Sequence, residues 1–247
     1  IKVYVERLGL MDAFLLAQLN EERRARRAAI LATDLDSATS RLIRESDAVS
    51  GKLAEEVARA FRCGKSGTVA AGGANWFLNV HLPPPRVVVI GAVHISQALA
   101  PMAALAGFDL EIIDPRTAFA TQERFGGTAL FAEWPEDVLK RRPLDPWTAL
   151  AAVTHDPKID DFPLKAALEA GCFYVGALGS RKTHAKRLER LAEQGVVPSL
   201  LERIHAPIGL PIGAASPAEI AVATLAEIIK ALRQRDLATR SSEEHAA

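Results

Sequence analysis

"VVVIGAVHISQALAPMAALAGFDLEIIDPR", residues 87–116, is the stretch that decides the fold. Its first four residues are a continuous apolar, β-branched run, as expected of a strand covered on both faces of a parallel sheet. "ISQALAPMAALAG" then places Ile95, Leu99, Met102 and Ala106 on one helical stripe, and Gly107 closes it. Pro101 inside that helix is expected to kink it or displace one hydrogen bond. "LEIID" reads as a second strand ending in an acid. Strand, tight turn, helix, strand is the opening unit of a nucleotide-binding sheet.

The turn departs from the usual G-x-G-x-x-G pattern. Gly91 stands at the first glycine position, Val93 at the second and Ser96 at the third. The first glycine permits the tight turn, the second lets backbone approach a pyrophosphate, and the third allows close helix–strand packing. Gly91 keeps the first job and the small Ser96 part of the third. Val93 puts a β-branched side chain where no Cβ is wanted. Asp114 follows Gly91 by 23 residues, near the spacing of an acid that bonds ribose hydroxyls. Arg116 is placed to meet a phosphate. Ala92 and His94 complete the turn at a helix N-terminus, which attracts anions, and His94 adds a donor. Two readings stay open: a phosphate site, or an Asp114 that only ends its strand and a His94 that only caps.

From Val87 onward strands and helices alternate. "GTALFAEW", the short helix "PEDVLKRR", "WTALAAVTH", a helix around 161–170, "CFYVGAL" and "RKTHAKRLERLAEQG" follow in turn. Alternation of this kind implies an α/β fold: a Rossmann-like doubly wound parallel sheet with right-handed crossovers. In the last helix Ser216 is the expected N-cap, with Pro217 at N1 and Glu219 completing a capping box. Ile220, Thr224, Ile228 and Leu232 recur along it. Residues before 84 differ in style. A helix with apolar Phe14, Leu15 and Leu19 leads to a strand "AAILAT", and "SGKLAEEVARAF" is a helix with Leu53, Val57, Ala60 and Phe61 on one face. The glycines of "CGKSGTVAAGGANWFLNV" break that helix and lead to a strand "WFLNV". "HLPPPR" favours an extended connector. The expected organisation is a smaller N-terminal α/β domain at 1–84, a Rossmann-like domain at 85–235 and a polar tail at 236–247.

Of the 247 residues 49% are hydrophobic and 24% charged, so a folded core is expected rather than disorder. Thirty basic residues balance thirty acidic ones, which argues against nucleic acid as a partner. "EERRARR" at 21–27 mixes signs at helical spacing and reads as a solvated face. Two cysteines exclude a disulfide framework and a multi-cysteine zinc site. Cys172 opens an apolar strand and is expected to be buried and inert, whereas Cys63 is expected to be exposed. With no secretory leader pattern and no apolar run near the ~18 residues of a membrane span, the chain is expected to be soluble and cytoplasmic. "GKSG" at 64–67 is not a phosphate-binding loop, because Arg59 falls where the first glycine belongs. His94, His155 and His184 lack metal-ligand spacing, and no nucleophile–base constellation marks a catalytic site.

Three more segments carry chemistry. "AAVTHDPKIDDFPLKAAL" places His155 and Asp156 at a strand's C-terminal end, where ligands of open α/β sheets gather. The pair could orient a polar ligand, or Asp156 could cap the turn before Pro157. "YVGALGSRKTHAKRLERL" runs through Gly179, Ser180, Arg181 and Lys182 into a helix. Arg181 and Lys182 either meet phosphate, as fork and point charge, or form a solvated helix start. "IHAPIGLPIGAASPAEIAVATLAEII" is rich in glycine and proline. With "VVVIGAVHI", these segments resemble the XdhC/CoxI family of xanthine dehydrogenase and carbon monoxide dehydrogenase accessory proteins, in order and spacing over roughly 87–232. "AVSGKLAEEV" is similar to a family segment S-G-G-C-[VI]-E, but with Lys52 and Leu53 in place of its second glycine and its cysteine.

The resemblance implies a maturation chaperone rather than an enzyme. Such a protein binds the molybdenum cofactor (a molybdopterin) as cargo and delivers it to a molybdenum hydroxylase apoenzyme. A cysteine desulfurase-type sulfurtransferase and a homodimeric state come with that reading. A charged pterin needs an anion cradle and water exclusion more than catalytic groups. Two alternatives stay open: an NAD(P)-dependent oxidoreductase, and an interaction protein whose vestigial cleft is filled by Val93 and Leu53.

Overall fold

The computed structural model describes residues 5, 7 and 9–237. Two units divide the chain, one within the residues up to Pro83 and one spanning Pro84–Leu237. The expected tail at 236–247 lies almost wholly outside the described residues.

In the N-terminal unit the elements are α1 (Leu10–Arg24), β1 (Ala29–Asp34), β2 (Thr39–Arg44), α2 (Lys52–Cys63), β3 (Gly67–Ala71) and β4 (Ala74–His81). The four strands form an antiparallel sheet in the order β2-β1-β4-β3. One helical face, Leu53, Val57 and Ala60, packs on Ile30, Ala32, Ile43 and Leu78 of the sheet. Gly64, at φ +64°, ends α2, and the later glycines of that segment have a different task. Gly72 and Gly73, at φ +63° and +85°, form the two-residue turn of a β3–β4 hairpin in which Ala71 pairs with Ala74. Positive φ at both positions matches the twist of the flanking strands, and glycine takes it without a Cβ penalty. In the charged run at 21–27 Glu22 is buried and paired with Arg27 at 2.5 Å and Arg44 at 2.9 Å. Glu22 is the exception on this face, since Glu21, Arg23, Arg24 and Arg27 are exposed as expected. Phe14, one of the three expected apolar positions of α1, is 57% exposed, whereas Leu19 is buried.

The C-terminal unit runs β5 (Arg86–Ile90), α3 (His94–Leu105), β6 (Asp109–Ile113), α4 (Gln122–Phe125), β7 (Ala129–Phe131), α5 (Pro135–Arg141) and β8 (Thr148–Ala152). It continues through α6 (Pro157–Glu169), β9 (Tyr174–Ala177), α7 (Arg181–Glu193), α8 (Pro198–Leu201), β10 (Ile204–His205) and α9 (Pro217–Leu237). Its six strands are parallel, in the order β10-β9-β8-β5-β6-β7. Counted within this unit, that is the 3-2-1-4-5-6 arrangement of a doubly wound sheet, with order reversing between β5 and β8.

Burial follows the pleat. Val87 and Val89 face Leu99 of α3 and Ile228 of α9, while Val88 and Ile90 face Leu164 of α6 and Leu191 of α7. Val87, Val88, Val89 and Ile90 are all fully buried, which explains an unbroken apolar run where a half-exposed strand would alternate. Each such side chain contributes about 1.5–3 kcal/mol. Helix α3 continues through Pro101 and ends with Phe108 N–H on the Ala103 carbonyl and Gly107 N–H on Ala104, the two bonds of a glycine-terminated C-cap. The capping box of α9 forms as read. Ser216 Oγ accepts from the Glu219 N–H, and Glu219 Oε2 accepts from the Ser216 N–H at 3.0 Å.

Candidate functional site

Gly91, at φ +122°, makes the tight turn after β5. A Cβ there would lie 2.8 Å from Thr154 Cγ2 and 3.3 Å from the Thr154 nitrogen. The turn and the loop after β8 therefore meet at the point where strand order reverses. The backbone groups of residues 91–93 all have partners. Gly91 N–H donates to the Ile113 carbonyl at 2.9 Å. Ala92 N–H donates to Asp114 Oδ2 at 2.7 Å, and the Ala92 carbonyl accepts from Arg124 Nη1 at 3.0 Å. Val93 N–H donates to Ser96 Oγ at 2.8 Å, and that hydroxyl lies 2.7 Å from the Gly91 and Val93 carbonyls. In a dinucleotide-binding turn such N–H groups face the pyrophosphate. Asp114 and Ser96 hold them here.

Asp114 is fully buried. Besides Ala92, its carboxylate accepts from the Arg116 N–H at 2.9 Å, Arg116 Nε at 2.9 Å and Arg116 Nη2 at 2.7 Å. Burial alone would raise its pKa, but the Arg116 guanidinium and the two backbone N–H groups hold it below the usual value. The acid expected to meet a ribose thus presents no surface and serves the turn. Arg116 also feels the charges of Asp156 and Asp160, across the loop after β8.

A cleft of about 300 Å³ opens between α6 and α7, lined by His155, Pro157, Asp160, Asp161, Lys182, Thr183, Lys186, Arg187 and Arg190. Ser180 caps α7, its Oγ accepting from the Thr183 N–H at 3.2 Å. Asp156 caps α6, its Oδ1 accepting from the Lys158 N–H at 3.0 Å. Between the caps, His155 sits at φ +67°, a conformation disfavoured for any residue with a Cβ and frequent at functional sites. Asp160 fixes it: one oxygen accepts from the Thr154 hydroxyl at 2.7 Å and the other from the His155 N–H at 3.1 Å. Asp160 is buried, and desolvation pushes its pKa up to about 6 despite those bonds. Loss of water contact, reinforced by Arg187, lowers the pKa of His155 and of His184.

Of the residues expected from sequence, the cleft gathers His155 and Lys182. Gly91, Ala92, Val93, Asp114 and Arg116 build the turn at the reversal point, Val93 packing half-buried on the α3 side of the sheet. His94 and Arg181 are exposed at the first positions of α3 and α7. Asp156 and Ser180 are helix caps, and Gly179, at φ +137°, makes the turn before Ser180. Leu53 belongs to the core of the N-terminal unit. Asp160, Asp161, Thr183, Lys186, Arg187 and Arg190 do not stand out in the sequence. The signal that marks most of them is spacing: positions 182, 183, 186, 187 and 190 share one helical face.

The glycine- and proline-rich segment before α9 has a structural explanation. Glu227 accepts from the Tyr174 hydroxyl at 2.6 Å and from the Gly209 N–H at 2.8 Å, and it contacts His205 Nδ1 at 3.1 Å. A Cβ at Gly209 would come within 3.0 Å of Ala223 and of the Thr224 nitrogen. Cys172 is buried and its pKa is pushed up to about 12 by desolvation. Cys63 is only half-buried, its thiol 3.8 Å from the Ala60 carbonyl.

A doubly wound parallel sheet with a charged cleft at its carboxyl edge is the architecture of a Rossmann-type domain. The model of the XdhC Rossmann domain matches residues 87–228, and the chain belongs to that family. It is 34% identical over 157 residues to a Bacillus subtilis protein named as a probable xanthine dehydrogenase component, covering 63% of this chain and 46% of the relative. It is 32% identical over 146 residues to the "Molybdenum cofactor insertion chaperone PaoD" of Escherichia coli, covering 59% and 40%. The chain thus spans less than half the length of these curated relatives. A crystal structure titled as a xanthine dehydrogenase from Bacillus halodurans shares the fold, with TM-score 0.65 and 22% identity over 94% of this chain and 70% of that one.

Proposed function

We propose that this chain takes part in maturing a molybdenum hydroxylase of the xanthine dehydrogenase or carbon monoxide dehydrogenase type. It holds the molybdenum cofactor as cargo and delivers it to the apoenzyme. The observation that carries this reading is the cleft between α6 and α7. Four cationic side chains, Lys182, Lys186, Arg187 and Arg190, face two carboxylates there, and one of those, Asp161, is bound by Arg190 at 2.6 and 3.0 Å. Such a site suits an anionic ligand. The name of the Escherichia coli relative points to the same cargo.

The residues fit one end of a molybdopterin. Lys182 and Lys186, both exposed, would meet its negative charge at the mouth, and His155 would present an imidazole from a rigid, strained loop. No cysteine lines the cleft, so the metal end of the cofactor would keep its own sulfur and oxygen ligands. A sulfurtransferase partner, a homodimer and a cytoplasmic setting belong to the same reading. No helix among the described residues is long and apolar enough to cross a membrane. The closed turn at Gly91 weighs against a dinucleotide bound there in the usual pose.

Mixing the purified chain with molybdenum cofactor and separating by gel filtration tests the reading, with the pterin read by its fluorescence after oxidation. The pterin is expected to co-elute, and the double substitution K182E/K186E should weaken retention at least tenfold. Failure of pterin to co-elute, together with unchanged activation of a co-expressed molybdenum hydroxylase, overturns it.

A further inference from the structure

Arg187 is 2% exposed yet lines the α6–α7 cleft. Its Nη2 donates to the Leu178 carbonyl at 2.8 Å. Its Nε and Nη1 are buried and donate to nothing among the described residues. The carboxylates whose charge it feels are Asp160 and Asp161, and both are engaged elsewhere. Asp161 receives the fork of Arg190, and Asp160 receives the Thr154 hydroxyl and the His155 N–H. Arg187 therefore forms no ion pair among the described residues.

A buried guanidinium with unmet donors is costly, and an apolar side chain of similar volume is often the more stable choice. Its neighbours on α7 do not explain it either: Leu188 and Leu191 already pack against the core on this side of the sheet. What completes such a group is an anion with several acceptor oxygens. Helix α7 adds the rest of a cradle. Lys182 and Lys186 stand on the same helical face at the mouth, and Ser180 and Gly179 start the helix so that its positive end faces the same edge of the sheet.

We propose that Arg187 anchors a phosphomonoester subsite, its unpaired Nε and Nη1 donating to phosphate oxygens while Lys182 and Lys186 neutralise the outer charge. The inference rests on the cofactor-handling reading in one respect: there the phosphomonoester is the phosphate arm of the pterin. Asp160 opposes an anion when ionised, and its burial, which favours the neutral form, lessens that repulsion.

Inorganic phosphate is the first probe, titrated calorimetrically into the full chain at constant ionic strength, with chloride as the reference. Phosphate should bind wild type, and R187M should bind it at least tenfold more weakly while melting at or above the wild-type temperature in chloride. R187K, which keeps the charge but loses the fork, should fall between them, and R141Q, remote from the cleft, should match wild type. Equal phosphate affinity in wild type, R187M and R187K overturns the subsite, as does phosphate binding no tighter than chloride. The pterin co-elution assay separates the two claims. Phosphate binding that depends on Arg187 without pterin retention upholds the subsite and removes the cofactor reading. Pterin held equally by wild type and R187M keeps that reading and removes Arg187 as its anchor.

Discussion

Replacing Asp114 with asparagine tests whether this acid belongs to the ligand or to the turn. The carboxylate accepts four hydrogen bonds, from Ala92 N–H, Arg116 N–H, Arg116 Nε and Arg116 Nη2. An amide has one oxygen, so its NH2 must face donors on one side. If the oxygen stays with the Arg116 N–H and Nε, the buried Ala92 N–H loses its acceptor, which costs about 1–3 kcal/mol. The ion pair is lost as well. Breaking a fully buried pair costs about 3–5 kcal/mol, but the Arg116 side chain is 32% exposed and can turn to water. A net loss of about 3 kcal/mol follows. At about 2–4 °C per kcal/mol for a unit of this size, D114N should melt about 10 °C below wild type by calorimetry at pH 7. The sign with pH is fixed too. The folded-state pKa of Asp114 lies below the usual 3.8, so its stabilisation is complete above that value and fades as pH falls through the lower one. The gap between wild type and D114N should therefore narrow below pH 4. A variant within 2 °C of wild type at neutral pH would show that the turn does not depend on this carboxylate. An unchanged gap at pH 3 would show that the charge is not what matters.

Gly91→Ala places a Cβ 2.8 Å from Thr154 Cγ2 at a φ of +122°. Strain and overpacking together should cost about 2–4 kcal/mol and blunt pterin retention, and a melting temperature within 1 °C of wild type would contradict the close approach of the two loops. Asp160→Asn concerns pH. The pKa of Asp160 rises from 3.8 to about 6 on folding, on the order of 3 kcal/mol at about 1.4 kcal/mol per pH unit, so wild type should lose this stability as pH rises from about 4 through 6. D160N, with no proton to lose, should lack that decline, and parallel stability–pH curves for the two proteins would count against a raised pKa.

The legible parts of the fold are those where one physical requirement acts on many consecutive residues. β5 lies between two helical layers, so every position from Val87 to Ile90 is apolar and the run is plain. The same holds for the capping box of α9, where Ser216 and Glu219 satisfy each other locally. β2 is hard to see because it is an edge strand with only Ile43 fully buried, which leaves no alternation to read. The β3–β4 hairpin carries its signal in Gly72-Gly73, but glycines there read equally well as the end of a preceding helix. In the site, loop positions at strand ends are visible as a class, and His155 and Lys182 do line the cleft. Arg187 is hidden for a tertiary reason. In sequence it is one basic residue in "RKTHAKRLER", and only the packing of α7 against α6 makes it the one held dry. Ser96 is hidden differently: it looks like a damaged glycine position, yet its hydroxyl does the hydrogen bonding that holds the turn.

Ser96 and Arg187 together point to one electrostatic argument about where an anion can sit. At the first turn the Ala92 and Val93 N–H groups are taken, and directly beneath lies an ionised Asp114 whose compensating charge, Arg116, is drawn inward by two side-chain bonds. A phosphate placed there would face that carboxylate with few donors left, and at short range in a medium of low dielectric such repulsion outweighs the pull of one helix end. Two loops away the balance reverses. The start of α7 brings the same helix-end field together with Lys182 and Lys186 and with a guanidinium whose Nε and Nη1 have no acceptor among the described residues. On this reasoning Val93 is tolerated at the glycine position because no phosphate approaches the backbone there. V93G should therefore leave phosphate affinity unchanged while R187M weakens it at least tenfold. The opposite pattern, tighter phosphate in V93G with R187M indifferent, would return the anion to the first turn.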